Sequence, residues 1–136
     1  MTLVDSNVLL DIFGKTSVWW EWSLRQLEDA ALHGPLLIND VIFAETSIRF
    51  LRIDVFEGAL TDAGITIVPM PRPALFLAGK ASVKYRTLGG ARSGVLPDFF
   101  IGAHAEIESL PLLTRDVGRY RTYFPAVALI SPEGEG

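Results

Sequence analysis

Short apolar runs alternate along this chain with longer stretches in which apolar positions recur every three or four residues, the pattern of strands separated by helices. Thr2, Leu3 and Val4 make a short β-prone run, and Val8, Leu9, Leu10, Ile12 and Phe13 carry on as a helix. TSVWWEWSLRQLEDAALHG predicts a helix of about four turns, closed by Gly34 and Pro35. PLLIND comes next as a short buried strand, with Asn39 or Asp40 capping the helix VIFAETSIRFL. Arg52 to Ala63 forms another helix, stopped at Gly64, and ITIVPM is a third strand. Pro71 and Pro73 mark a turn before the helical ALFLAGKASVKYRTL. LGGARSGV is a glycine-rich loop, PDFFIGAHAEIESL a helix opened by a proline, and PLLTRD and AVALIS the fourth and fifth strands, with a turn into VGRYR between them. Residues 1–131 are expected to form one domain, and residues 132–136 a flexible tail.

Strands that read as continuous apolar runs between helices imply an α/β protein with a parallel sheet covered on both faces. Ligands of such sheets bind beyond the carboxyl ends of the strands. That rule singles out Asp5, at the end of the first run, and gathers three further acids with it: Glu45, about a turn into the helix after strand two; Asp98, in the first turn of PDFFIGAHA; and Asp116, just after strand four. In the helix that contains WWEWS, Trp20, Leu24, Leu27 and Ala31 share one stripe, the expected core face. Val18, Trp19 and Trp22 fall roughly opposite, on a side to be covered by another helix or by a partner.

Composition narrows the chemistry. With 136 residues, 49% of them hydrophobic, one domain can bury its own core. The absence of cysteine excludes disulfides, thiol nucleophiles and zinc-thiolate centres. No apolar run reaches the roughly 20 residues of a membrane helix, and the N-terminus lacks the basic start of a signal peptide, so a cytoplasmic protein without membrane contact is expected. The net charge of -4 conceals a polarity: residues 80–121 hold seven Lys/Arg against four Asp/Glu, enough for a modest phosphate-facing patch.

Singly, each acid has an ordinary explanation: a helix cap for Asp5, an i+4 pair with Arg49 for Glu45, a dipole partner for Asp98, a turn cap for Asp116. Together they would repel and raise one another's pKa unless a cation were present. Carboxylates with no cysteine suit a hard ion such as Mg²⁺ or Mn²⁺. Such an ion can make hydroxide from bound water near neutral pH and neutralise charge growing on a phosphate. Asp5 is then the central ligand, with Asp98 and Asp116 completing the coordination directly or through water. Glu45 orients the attacking water or a second ion. Ser6, Asn7 and Thr114 are the candidate hydrogen-bonding neighbours of these acids. His33 and His104 adjoin none of the four and are expected to be structural or surface residues.

VDSNVLLDI, the AE of NDVIFAETSI, LPDFFIGAHA and LLTRDVGRYRTYFP resemble, in order, the four signatures of PIN-domain ribonucleases. The likeness spans residues 2 to 131 and is strongest to the VapC toxins of toxin-antitoxin modules. It implies a three-layer α/β/α domain with a central parallel five-stranded sheet of order 3-2-1-4-5. It implies Mg²⁺- or Mn²⁺-dependent endonucleolytic cleavage of RNA that leaves a 5′-phosphate and a 3′-hydroxyl, a cognate VapB-like antitoxin and a homodimer. The acidic quartet of the family falls on Asp5, Glu45, Asp98 and Asp116. Ser6 stands where the family more often has threonine, and Phe99 and Phe100 are bulkier than is usual at their positions. Arg92, Arg115 and Arg119 are the candidate RNA contacts, and Trp19 and Trp22 a candidate antitoxin or dimer contact.

Three other readings compete. An aspartyl phosphatase also opens on a strand ending in Asp, but its general acid two residues on is here Asn7, which has no proton of that kind to give. A P-loop would need Lys and Ser/Thr where Val95 and Leu96 stand. A PIN-like scaffold that binds RNA or protein without cutting would be favoured by a missing acid, and none is missing.

Overall fold

A computed structural model describes residues 1–14, 16–90 and 94–132. Its strands are β1 (Thr2–Val4), β2 (Leu36–Ile38), β3 (Ile65–Ile67), β4 (Leu112–Leu113) and β5 (Leu129–Ile130). They form one parallel sheet in the order β3-β2-β1-β4-β5, as the family resemblance implies. Between them run α1 (Ser6–Gly14), α2 (Trp20–Ala31), α3 (Asp40–Ser47), α4 (Ile53–Asp62), α5 (Arg72–Thr87), α6 (Pro97–Ile107) and α7 (Gly118–Tyr123). The central strands are apolar but for Thr2 because both faces are covered: Leu3, Val4, Ile38, Leu112 and Leu113 are fully buried. At the edge, β3 buries Ile65 alone.

Several elements form as their residues dictate. Asn39 caps α3 by accepting the amide of Ile42 at 3.0 Å, and Pro97 opens α6 where a missing N–H costs nothing. Others differ. Pro71 and Pro73 lie at the start of α5 rather than in a turn before it, since proline suits the first helical turn. VGRYR, given no element of its own by the apolar pattern, opens a short helix, α7, which carries Arg119 and the buried Tyr120.

The expected faces of α2 are also shifted. Ser23, Leu27 and Ala30 are its buried residues, whereas Ala31 is exposed and Trp20 and Leu24 are half-buried. Trp22, expected on the outer side, packs against the core, and Trp19 meets it edge-on at 6.0 Å. On the inward face Ser23 donates to the buried Asp11 at 2.6 Å, a polar contact that an apolar stripe does not anticipate.

Phe99 is fully buried among Tyr85, Tyr123 and Phe124, with ring centroids at 5.5, 5.2 and 6.5 Å. The bulk that distinguishes it therefore fills the core and not a surface groove. Gly102 completes this packing, because a Cβ built there would overlap the ring of Phe124. Among the described residues no helix is long and apolar enough to cross a membrane.

Candidate active site

In a parallel sheet every strand points the same way, so the segments leaving β1, β2 and β4 emerge at one edge. The helix that returns to β4, α6, must begin at that edge too. Asp5 succeeds β1 directly, Glu45 lies in α3 after β2, Asp98 is in the first turn of α6, and Thr114 and Asp116 come just after β4.

Asp5 is almost wholly buried, at 3% exposure. Its Oδ1 accepts the adjacent Ser6 amide at 2.7 Å, and its Oδ2 accepts the hydroxyls of Thr114 and Tyr120, both at 2.8 Å. A helix-capping aspartate would turn its carboxylate to the amides two or three residues on. This one turns to side chains brought from β4 and α7. The Ser6 hydroxyl bridges to the second acid: it donates to Glu45 Oε1 at 2.9 Å and lies 3.4 Å from Asp5 Oδ1. Asn7 holds the other side, donating to Thr114 Oγ1 at 3.1 Å and accepting the Arg115 amide at 3.1 Å. Ser6, Asn7 and Thr114 thus all touch the network around Asp5.

The electrostatics of these acids follow from burial. Desolvation pushes Asp5 up to about 6, opposed by the Tyr120, Thr114 and Ser6 hydrogen bonds and reinforced by the charge of Asp98. Glu45 is raised by burial and by the same Asp98 charge, against the Ser6 bond that lowers it. Tyr120 is pushed far above the ordinary phenol range, by burial first and then by the charges of Asp5, Asp98 and Glu45, so it stays a neutral donor. Asp98 itself carries the Arg119 guanidinium, Nη1 to Oδ2 at 3.1 Å. Asp116 is exposed, and its backbone, through both N–H and C=O, engages Thr114 Oγ1.

Of the expected quartet, the charge of Asp98 reaches both Asp5 and Glu45, the Ser6 hydroxyl lies between those two, and Asp116 is exposed at the rim. Among the described residues no three Asp, Glu or His side chains close on a single point as a metal cage. The donor set still fits a hard divalent ion: carboxylate oxygens, no sulfur, and the charge of Asp98 adding to the burial that raises Asp5 and Glu45. Mg²⁺ is commonly held by one or two carboxylates and several waters, which asks for no cage.

Two of the three expected RNA-contacting arginines have other partners, and Arg92 lies outside the described residues. Arg119 binds Asp98 and rests on the ring of Tyr85, 5.6 Å from its centroid. Arg115 grips the buried Asp11 with Nε at 2.6 Å and Nη2 at 3.0 Å, and its guanidinium lies over Trp19. Neither Asp11 nor Tyr120 stood out in the sequence. Asp11 left a signal, an acid three residues after the buried Val8, where a helix returns to its core face. Tyr120 left none. His104, as expected, is structural: it is buried, accepts from Asn39 across 3.0 Å, and has its pKa lowered by burial. His33 is exposed, its Nδ1 2.9 Å from the carbonyl of Asp29.

A five-stranded parallel sheet of order 3-2-1-4-5 with carboxylates at its carboxyl edge defines an α/β protein with an acidic site at the strand ends. The chain belongs to the PIN domain family, whose sequence pattern it matches over residues 2–125. Its fold is similar to that of VapBC2 from Rickettsia felis, bound to a DNA fragment from the promoter, with 16% identity, TM-score 0.72 and coverage of 96% of this chain and 97% of the other. It is similar too to FitAcB from Neisseria gonorrhoeae, with 21% identity, TM-score 0.70 and coverage of 98% and 99%. A third likeness is to DNA-bound VapBC from Salmonella typhimurium, with 14% identity, TM-score 0.70 and coverage of 96% and 98%. At these identities the likeness is one of fold. A comparison with curated proteins found no match.

Proposed function

We propose that this PIN domain is a metal-dependent endoribonuclease, the toxin of a VapBC-type pair, cleaving RNA in the cytoplasm. PIN domains are generally nucleases, and the acids at the strand ends support that reading for this chain. The observation that carries the reading is the Ser6 hydroxyl spanning Asp5 and Glu45 while the charge of Asp98 presses on both. Asp5, Glu45 and Asp98 would hold Mg²⁺ or Mn²⁺, with Asp116 contributing from the rim through water. A bound ion would supply an activated water near neutral pH and offset charge growing on the phosphate. Ser6, Asn7, Thr114 and Tyr120 hold the Asp5 carboxylate in place, and Glu45, half-buried and aimed at Ser6, is positioned to orient the attacking water. Arg119, paired with Asp98 and resting on the ring of Tyr85, lies beside the acids and suits phosphate contact. Arg115 is less available for that role, since two of its nitrogens grip the buried Asp11 whereas Arg119 makes a single bond to Asp98.

Incubating structured RNAs with Mg²⁺, Mn²⁺ or EDTA tests the reading. The expected result is cleavage that requires the metal, leaves 5′-phosphate and 3′-hydroxyl ends, and is abolished by Asp5→Asn. Cleavage in EDTA would overturn it.

The similar solved structures are named as VapBC and FitAB assemblies and as a toxin-antitoxin complex, which supports a VapB-like antitoxin partner. A homodimer is part of the same proposal. A second reading, a domain that binds RNA or protein without cutting, draws on the absence of a three-acid cage among the described residues and on the arginine seated on Asp98. RNA retained but left intact in Mn²⁺ would favour it.

A further inference from the structure

Asp5 is held unevenly. Its Oδ2 accepts the Tyr120 and Thr114 hydroxyls at 2.8 Å each, with the Asn7 amide at 3.5 Å, so both lone pairs of that oxygen are engaged. Its Oδ1 accepts one strong bond, from the Ser6 amide at 2.7 Å, and lies on the side of the Ser6 hydroxyl that leads to Glu45. The terminal torsion of an aspartate is broad, so the side chain by itself does not fix the plane of its carboxylate or keep an oxygen turned to that side. The ring that does so is fixed. Tyr120 is 1% exposed, and a buried phenol seeks a hydrogen-bond partner, which here is Asp5.

We propose that Tyr120 is a positioning residue: with Thr114 it pins Oδ2 of Asp5 and so presents Oδ1, on the Glu45 side, as the oxygen offered to a hard divalent cation. The inference rests on the metal-dependent reading above and adds to it a residue that makes no contact with substrate. Tyr120→Phe keeps the ring and its packing and removes only the oxygen.

The test is Mn²⁺ binding to the RNA-free protein, by isothermal titration and by the electron paramagnetic resonance signal of unbound Mn²⁺. Tyr120→Phe is expected to weaken binding by about tenfold, the usual cost of losing a partner that orients a metal ligand. Tyr123→Phe, whose ring packs on Phe99 rather than on Asp5, is expected to bind as the wild type does. If wild-type protein bound no Mn²⁺, the metal-dependent reading would fall and this proposal with it. If the wild type bound and Tyr120→Phe bound equally well, the proposal alone would fall. Should Tyr120→Phe not fold, Thr114→Val removes the other hydroxyl on Oδ2 and carries the same expectations.

Discussion

At the scale of single residues, Arg119 stands between two roles with opposite signatures. Its guanidinium sits on Asp98, the acid whose charge reaches both Asp5 and Glu45, and so occupies charge that a cation would use. The same group is a positive charge beside the acids that a phosphate could take. Arg119→Gln should therefore tighten Mn²⁺ binding a few-fold in the RNA-free protein while weakening RNA. The slope of log K for RNA against log salt should become shallower by about one. Calorimetry for the metal and fluorescence anisotropy for RNA measure the two arms. If neither moves, the pair is a solvated surface contact, which is worth about 0–1 kcal/mol.

Among elements, the contact that matters most beyond the acids is the clasp of Asp11 and Arg115. It ties α1 to α2 through Ser23 and to the segment after β4 that carries Thr114 and Asp116. Asp11 is buried, so removing its cation strands a charge in the interior. Arg115→Ala should cost about 3 kcal/mol, since breaking a buried pair by deleting one partner is strongly destabilising. For a domain of this size that corresponds to a fall of about 10 °C in Tm. Thermal melts of Arg115→Ala and of the double variant with Asp11→Asn check it: the second change should recover much of the loss. An Arg115→Ala protein that melts with the wild type would mean the clasp is solvated and holds nothing.

For the molecule as a whole, the acids make the metal-free fold sensitive to pH. Asp5 keeps its proton to about 6 when folded, against 3.8 as its ordinary value, and Glu45 shifts the same way. From about pH 4 to about 6 the folded state then binds more protons than the unfolded one, so stability falls as pH rises through that window and stays reduced above it. The cost from Asp5 is of the order of 3 kcal/mol. In EDTA at about pH 7.5, Asp5→Asn should melt at or above the wild type, and the difference should close towards about pH 4. Mg²⁺ should raise the wild-type Tm by binding only the folded state, and the variant's much less. Scanning fluorimetry against pH, with and without Mg²⁺, decides it. Equal metal-induced shifts would place the cation elsewhere.

Local rules determined much of this protein. Apolar runs no longer than a strand, separated by helical spacing, specified a parallel α/β sheet, and strand-end placement marked Asp5 and gathered Glu45, Asp98 and Asp116 with it. Those features depend on neighbours a few residues away, which the sequence displays directly. The order of the strands came from likeness to a family and not from spacing. What the tertiary structure alone decided are the contacts between distant segments. Tyr120 reaches Asp5 across 115 positions, and Arg115 reaches Asp11 across 104. Ser23 likewise faces Asp11 in the interior, and Trp22 packs against the core, neither of which the apolar stripe of α2 displays. The physical reason is that burying a charge demands a partner of matching chemistry, and only the folded chain settles which distant side chain arrives to supply it.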